Sequence, residues 1–201
     1  RCDLSLVKAL LAHEANPNIR IAKGTPYRRQ SADFYLPVSL IGATPLIVAA
    51  KYASADMIRS LAASGADLQL VAADGATPLI AAANPSDNQR QPASNFLRKP
   101  RDYEESRSLE AVRALLDLGV DIDAVNAAGN TALHVAASGR YDTIVQLLLE
   151  RGAKPDLKNE LGKTPLALAS VVEEMFLDRP NFNKSDPNST ANLLLKFGAK
   201  E

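Results

Sequence analysis

Catalysis or metal binding would start from histidine and cysteine, and this chain has only His13, His134 and Cys2. One thiol and two distant imidazoles fall short of the four-ligand set of a structural zinc site. They also offer no Ser–His or Cys–His pair at a usable spacing. Glu173 and Glu174 are adjacent carboxylates, but neighbouring helical positions point in different directions, so the pair reads as a solvated face. No glycine-rich loop has phosphate-cradling spacing, and Gly24-Thr25-Pro26 reads as a turn. Arg28-Arg29-Gln30-Ser31 has the form of a basophilic kinase site, and Asn183-Lys184-Ser185 and Asn188-Ser189-Thr190 are sequons by pattern. Short matches of this kind recur by chance. The expectation is a chain with no catalytic residue, no cofactor and no metal, whose chemistry is recognition.

Recognition has its own residue types, and Tyr and Arg are enriched among binding hot spots. Residues 19–41 hold Tyr27, Phe34 and Tyr35, with Arg20, Lys23, Arg28 and Arg29 against Asp33 alone. Phe96 and Arg98 lie in a second turn-rich stretch and Phe182 in a third, so half of the ten aromatic rings occupy such segments. The candidate partner-binding set is therefore Tyr27, Arg28, Arg29, Phe34 and Tyr35, continued by Lys51, Tyr52 and Asn84, with Phe96 and Arg98. A second reading of the same rings stands beside it: they tack the first segment onto its own neighbours.

The elements that must position these residues follow a fixed beat. Thr44, Thr77, Thr131 and Thr164 each open a short alanine-rich pattern, at spacings of 33, 54 and 33 residues. A constant period broken by insertions marks a stacked repeat. In Gly42-Ala43-Thr44-Pro45-Leu46-Ile47-Val48-Ala49-Ala50, Thr44 suits a helix N-cap and Pro45 the first helical position. Ala49 and Ala50 keep that inner helix thin. A second helix over about Ala55 to Ala63 presents Met57, Ile58 and Leu61 at helical spacing, and Gly65 suits a left-handed cap. The pattern returns at Gly75-Ala76-Thr77-Pro78-Leu79, at Gly129-Asn130-Thr131-Ala132-Leu133-His134 and at Gly162-Lys163-Thr164-Pro165-Leu166.

These segments resemble ankyrin repeats, whose 33-residue period carries the motif T-P-L-H-x-A. Thr131 to Ala136 follows the motif except at Ala132, while the other copies keep Thr-Pro-Leu and replace the histidine by Ile47, Ile80 and Ala167. The resemblance implies an all-α ankyrin-repeat solenoid of about four and a half helix-turn-helix repeats with an extended finger insertion. It assigns a half repeat at 1–18, a finger insertion at 19–41, and repeats at 42–74, 75–128, 129–161 and 162–201. The second and fourth of these repeats carry insertions at 85–102 and 178–189. Asp102-x-x-Glu105 fits a capping box at the start of a helix running toward Leu118. The resemblance also implies that fingers and inner helices form a concave binding surface, and that His134 serves inter-repeat hydrogen bonding.

Composition narrows the partner. There are 23 basic and 23 acidic residues, so no overall field favours nucleic acid. No apolar run is long enough to cross a bilayer. A lone cysteine slightly favours a cytoplasmic setting, with export open if an upstream signal was removed. The half repeat begins with Leu6, Val7, Leu10 and Leu11 and lacks an inner helix. Either that helix lies upstream or another chain covers this end. The expectation is a non-catalytic module binding one protein partner, monomeric or weakly self-associating through the half repeat. The alternative is an accessory scaffold packed permanently against an enzyme or neighbouring domain. Inserts and alanine-rich helices give the chain a bacterial look by resemblance.

Overall fold

The computed structural model describes residues 4–22, 40–84, 101–176 and 189–200. It describes side chains for all of these except 101–104 and 172–176. Among the described residues every regular element is a helix. They are α1 (Leu4–Ala12), α2 (Pro45–Lys51), α3 (Ala55–Ala63), α4 (Pro78–Ala82), α5 (Arg101–Asp117), α6 (Ala132–Gly139), α7 (Asp142–Glu150), α8 (Pro165–Phe176) and α9 (Thr190–Lys196). The all-α repeat architecture that the resemblance implies is the architecture found among the described residues.

The threonines set where the inner helices begin. Thr44, Thr77 and Thr131 have extended backbones, and their hydroxyls accept from Ile47, Ile80 and His134 N–H. Thr164 does the same for Ala167 N–H at 3.2 Å. Each bond satisfies one of the donors that a helix start leaves without an intrahelical partner. Proline follows at 45, 78 and 165, where its missing N–H costs nothing.

The chain divides into two compact units, Arg1–Val120 and Asp121–Glu201. In the first, α2 packs against α3 and α4, and α5 packs against α3 and α4. Thinness is what permits this, because Ala49, Ala50, Ala82 and Ala83 are buried where larger side chains would hold the helices apart. Leu40, Ala43, Ile47 and Ala72 form a core cluster with Ile21 and Val48 against it. In the second unit α6 packs on α7 and α8, and α9 on α7 and α8. Its centre is Leu133, Ile144, Val145, Leu148 and Leu194, all essentially without solvent contact.

The loops between helix pairs are pinned one repeat at a time. Ala73 N–H donates to the Ile41 carbonyl, and Glu160 N–H donates to the Ala128 carbonyl. The residue after each acceptor is a glycine with positive φ, Gly42 at +76° and Gly129 at +73°. A Cβ on Gly42 would lie 2.9 Å from Ala73 N, and one on Gly129 would lie 2.8 Å from Glu160 N. Only glycine allows this approach of one backbone to the next.

A second clamp recurs after the outer helices. Asn18 Oδ1 accepts from Asp67 N–H at 2.8 Å, Asp123 Oδ1 from Lys154 N–H at 3.0 Å, and Asp156 Oδ1 from Lys200 N–H at 2.9 Å. Asn18 therefore performs in the half repeat what Asp123 and Asp156 perform in whole ones. The helix around 101–117 starts at Arg101, so Asp102 lies in its first turn and not at the cap position the Asp-x-x-Glu pattern suggested.

Candidate functional site

Three of the ten candidate residues lie among those described, and they come from equivalent places in successive repeats. Lys51 ends α2, Tyr52 is its C-cap residue, and Asn84 directly follows the C-cap of α4. Because α2 and α4 pack together, their C-terminal ends form one edge of the first unit. Tyr52 is 42% exposed there, while Lys51 and Asn84 are half-buried. Tyr27, Arg28, Arg29, Phe34, Tyr35, Phe96 and Arg98 lie outside the described residues.

The backbone under Tyr52 is held by a cation. Arg107 Nη2, on α5, donates to the carbonyl oxygens of Tyr52 at 3.0 Å and Ala53 at 3.2 Å. These carbonyls belong to the end of α2, which lacks intrahelical donors and carries the negative end of the helix dipole. Arg107 thus fixes the edge on which Tyr52 stands, a role that sequence reasoning did not assign. No local pattern marks it, since the two partners are more than 50 residues apart.

Arg20, one of the cations of residues 19–41, makes structural contacts. Its Nη1 donates to the Gly42 carbonyl at 3.2 Å and to the Val71 carbonyl at 2.8 Å. That guanidinium ties the base of the finger to the next loop. Asn18 Nδ2 adds a bond to the Gly65 carbonyl at 3.2 Å.

Beside this edge the first unit has an apolar cavity of about 370 Å³, which the sequence did not announce. It is lined by Val7 of α1, Ile19 and Ile21 of the following arm, Val48 and Tyr52 along α2, and Met57 and Leu61 of α3, with Arg20 as its charged lining residue. The neighbouring α1 has no buried residue, and its Leu6 and Leu10 are both more than half exposed.

In the second unit the buried polar groups are spent on structure. His134 is fully buried, its Nδ1 accepts from Thr131 N–H at 3.2 Å, and its Nε2 lies 3.0 Å from the Lys163 carbonyl. An Nδ1 that accepts leaves the proton on Nε2, which donates to Lys163. Burial pushes this imidazole below its ordinary value near 6.5, against the smaller raising effect of backbone hydrogen bonds at Lys163 and Leu157. Asn159, also buried, donates from Nδ2 to Asn130 Oδ1 at 2.8 Å, and its Oδ1 accepts from Leu161 and Lys163 N–H. Among the described residues no three His, Cys, Asp or Glu side chains group to hold a metal ion, and no helix is long and apolar enough to cross a membrane.

Comparison with known proteins agrees with the repeat geometry. The family model of ankyrin repeats in many copies matches residues 115–169. The chain is 31% identical over 157 residues, 78% of its length, to mouse ankyrin repeat and SOCS box protein 16. It is 43% identical over 58 residues, 29% of its length, to human SH3 and multiple ankyrin repeat domains protein 2. It is also 43% identical over 68 residues, 33% of its length, to protein PhlB of Serratia liquefaciens. The matches span 30%, 3% and 30% of those three relatives.

Proposed function

Because the chain belongs to the ankyrin-repeat family, we propose that it is a non-catalytic module that binds a protein partner. Ankyrin repeats are in general protein-interaction modules. The proposed contact surface is the concave face implied by the family likeness, read as the edge carrying Lys51, Tyr52 and Asn84 and continued by the finger residues Tyr27, Arg28, Arg29, Phe34 and Tyr35. Phe96 and Arg98 extend it.

The observation that carries this reading is the contrast between the two kinds of side chain. The polar groups that could do chemistry are buried and spent on structure: Thr131 caps its own helix, and His134 and Asn159 hold one repeat to the next. The aromatic ring of Tyr52 is instead presented to solvent on a rigid helix end whose carbonyl is clamped by Arg107. A pre-ordered aromatic loses little entropy when covered, so it suits an anchor for a partner.

The test compares capture from native lysate by the whole chain and by a version lacking residues 22–38. Loss of the captured protein from the shortened chain supports the finger's part in the surface. Recovery of the same protein in equal yield refutes it.

A further inference from the structure

Leu161 is the most exposed large apolar side chain among the described residues, at 82%. It stands on a loop that is fixed from several sides. Asn159 N–H donates to the Lys163 carbonyl and closes the loop, while Asn159 Oδ1 accepts from Leu161 N–H at 3.0 Å and from Lys163 N–H at 2.9 Å. Glu160 N–H donates to the Ala128 carbonyl and Asn159 Nδ2 to Asn130 Oδ1, so this loop is tied to the one before it. That preceding loop exposes Val125 to 53%, with Ala127 and Ala128 exposed beside it.

Each loop runs straight into an inner helix, and those helices continue the apolar surface. α6 buries Leu133, His134, Ala136 and Ala137 but leaves Val135 half-buried. α8 packs on α6, leaves Leu168 half-buried and exposes Val171 to 48%. Val135 and Leu168 each lie four residues after a capping threonine, so they take equivalent places in neighbouring repeats. Seven residues after the capping threonine the first unit has Lys51 and Asn84, where the second has Ser138 and Val171. Single exposed apolar residues are ordinary, but a group on adjoining elements marks an interaction site.

The charges beside this patch favour one sign of partner. Lys158 and Lys163 are exposed on the two arms of the Leu161 loop, and neither pairs with a carboxylate among the described residues. Lys154 is matched by Asp123 at 3.3 Å, and Glu160 is the one carboxylate of residues 158–163. Resting on the reading of the chain as a protein-binding module, we propose that this face of the second unit takes an acidic segment of the partner. Its apolar side chains cover Val125, Leu161 and Val171, and its carboxylates meet Lys158 and Lys163. The bonded loops already hold Leu161 in place, so covering it costs little ordering. Exposed ion pairs add little free energy, so the apolar contacts hold the segment while the lysines select its charge.

Selection of short random peptides displayed on phage against the whole 201-residue chain tests this, with fluorescence anisotropy on the peptides recovered. The expected peptides combine leucine-like side chains with Asp or Glu, and their affinity falls as salt rises from about 50 to about 300 mM. The V125S/L161S variant should keep the parent circular dichroism spectrum, because both side chains are exposed, and bind them at least about tenfold more weakly. K158E/K163E should reject the acidic peptides and accept versions with Lys in place of Asp and Glu. K51A/Y52A/N84A should bind the acidic peptides as the parent does. Peptides weakened by K51A/Y52A/N84A but indifferent to V125S/L161S would leave the module reading standing and overturn this one. Recovery of basic peptides, recovery of none, or parent-like binding by K158E/K163E would each overturn it too.

Discussion

His134 Nε2 and the carbonyl oxygen of Lys163 are 3.0 Å apart, so a buried imidazole on one repeat is bonded to the loop that opens the next. Burial lowers the pKa of that ring below its ordinary 6.5, so the folded chain holds it neutral where the unfolded chain would protonate it. The unfolded state then binds more protons as pH falls. The stability from this group is full above about pH 6.5 and is lost as pH drops through the folded value. Urea denaturation across that window should show the loss in the parent. His134→Gln should be less stable at every pH, with a flatter profile. An unchanged profile would contradict the assignment.

Gly129 and Gly152 separate two costs of replacing glycine. Both have positive φ, +73° and +91°, but only Gly129 has a backbone against the site of its absent Cβ. Alanine at either position costs about 1–2 kcal/mol for the left-handed conformation. At Gly129 it must also displace Glu160 N, whose hydrogen bond to Ala128 is 3.1 Å. Gly129→Ala should therefore lose roughly twice what Gly152→Ala loses in chemical denaturation. Equal losses would contradict the close approach.

Thr77 and Thr131 cap equivalent helices with different amounts of support. Thr77 Oγ1 accepts from Ile80 N–H at 3.2 Å. Thr131 Oγ1 accepts from His134 N–H at 3.3 Å and is also 2.9 Å from His134 Nδ1. Thr77→Val should cost about 1 kcal/mol, the usual value of a cap. Thr131→Val should cost more, because it also removes a bond to a buried ring. Thermal unfolding of the two variants checks the order.

The legible parts of the fold were those whose chemistry is local. A threonine, a proline and an acceptor relation three residues long can be read off a line of sequence, which is why the helix starts at 45, 78, 132 and 165 were accessible. His134 was accessible through the repeated motif. Arg20 was not, because its partners Gly42 and Val71 lie 22 and 51 residues away and only the folded stack brings them together. The shared role of Asn18, Asp123 and Asp156 was hidden for the same reason. Their acceptor contacts reach a repeat ahead, and Asn18 differs in residue type. The cavity beside α1 had the least signal of all, because a groove is the lack of a neighbour and no residue pattern spells it out.

The proposed binding surface is a fixed one, with Lys51, Tyr52 and Asn84 within it. The most direct measurement is the dissociation constant of the captured partner for the parent chain and for the K51A/Y52A/N84A variant, with thermal unfolding as control. None of the three side chains belongs to the buried core, so the fold should persist, and the unfolding control reads any loss. Binding by the triple variant should be at least about tenfold weaker, the effect of losing one hot-spot residue. Parent-like affinity in a folded triple variant would contradict it.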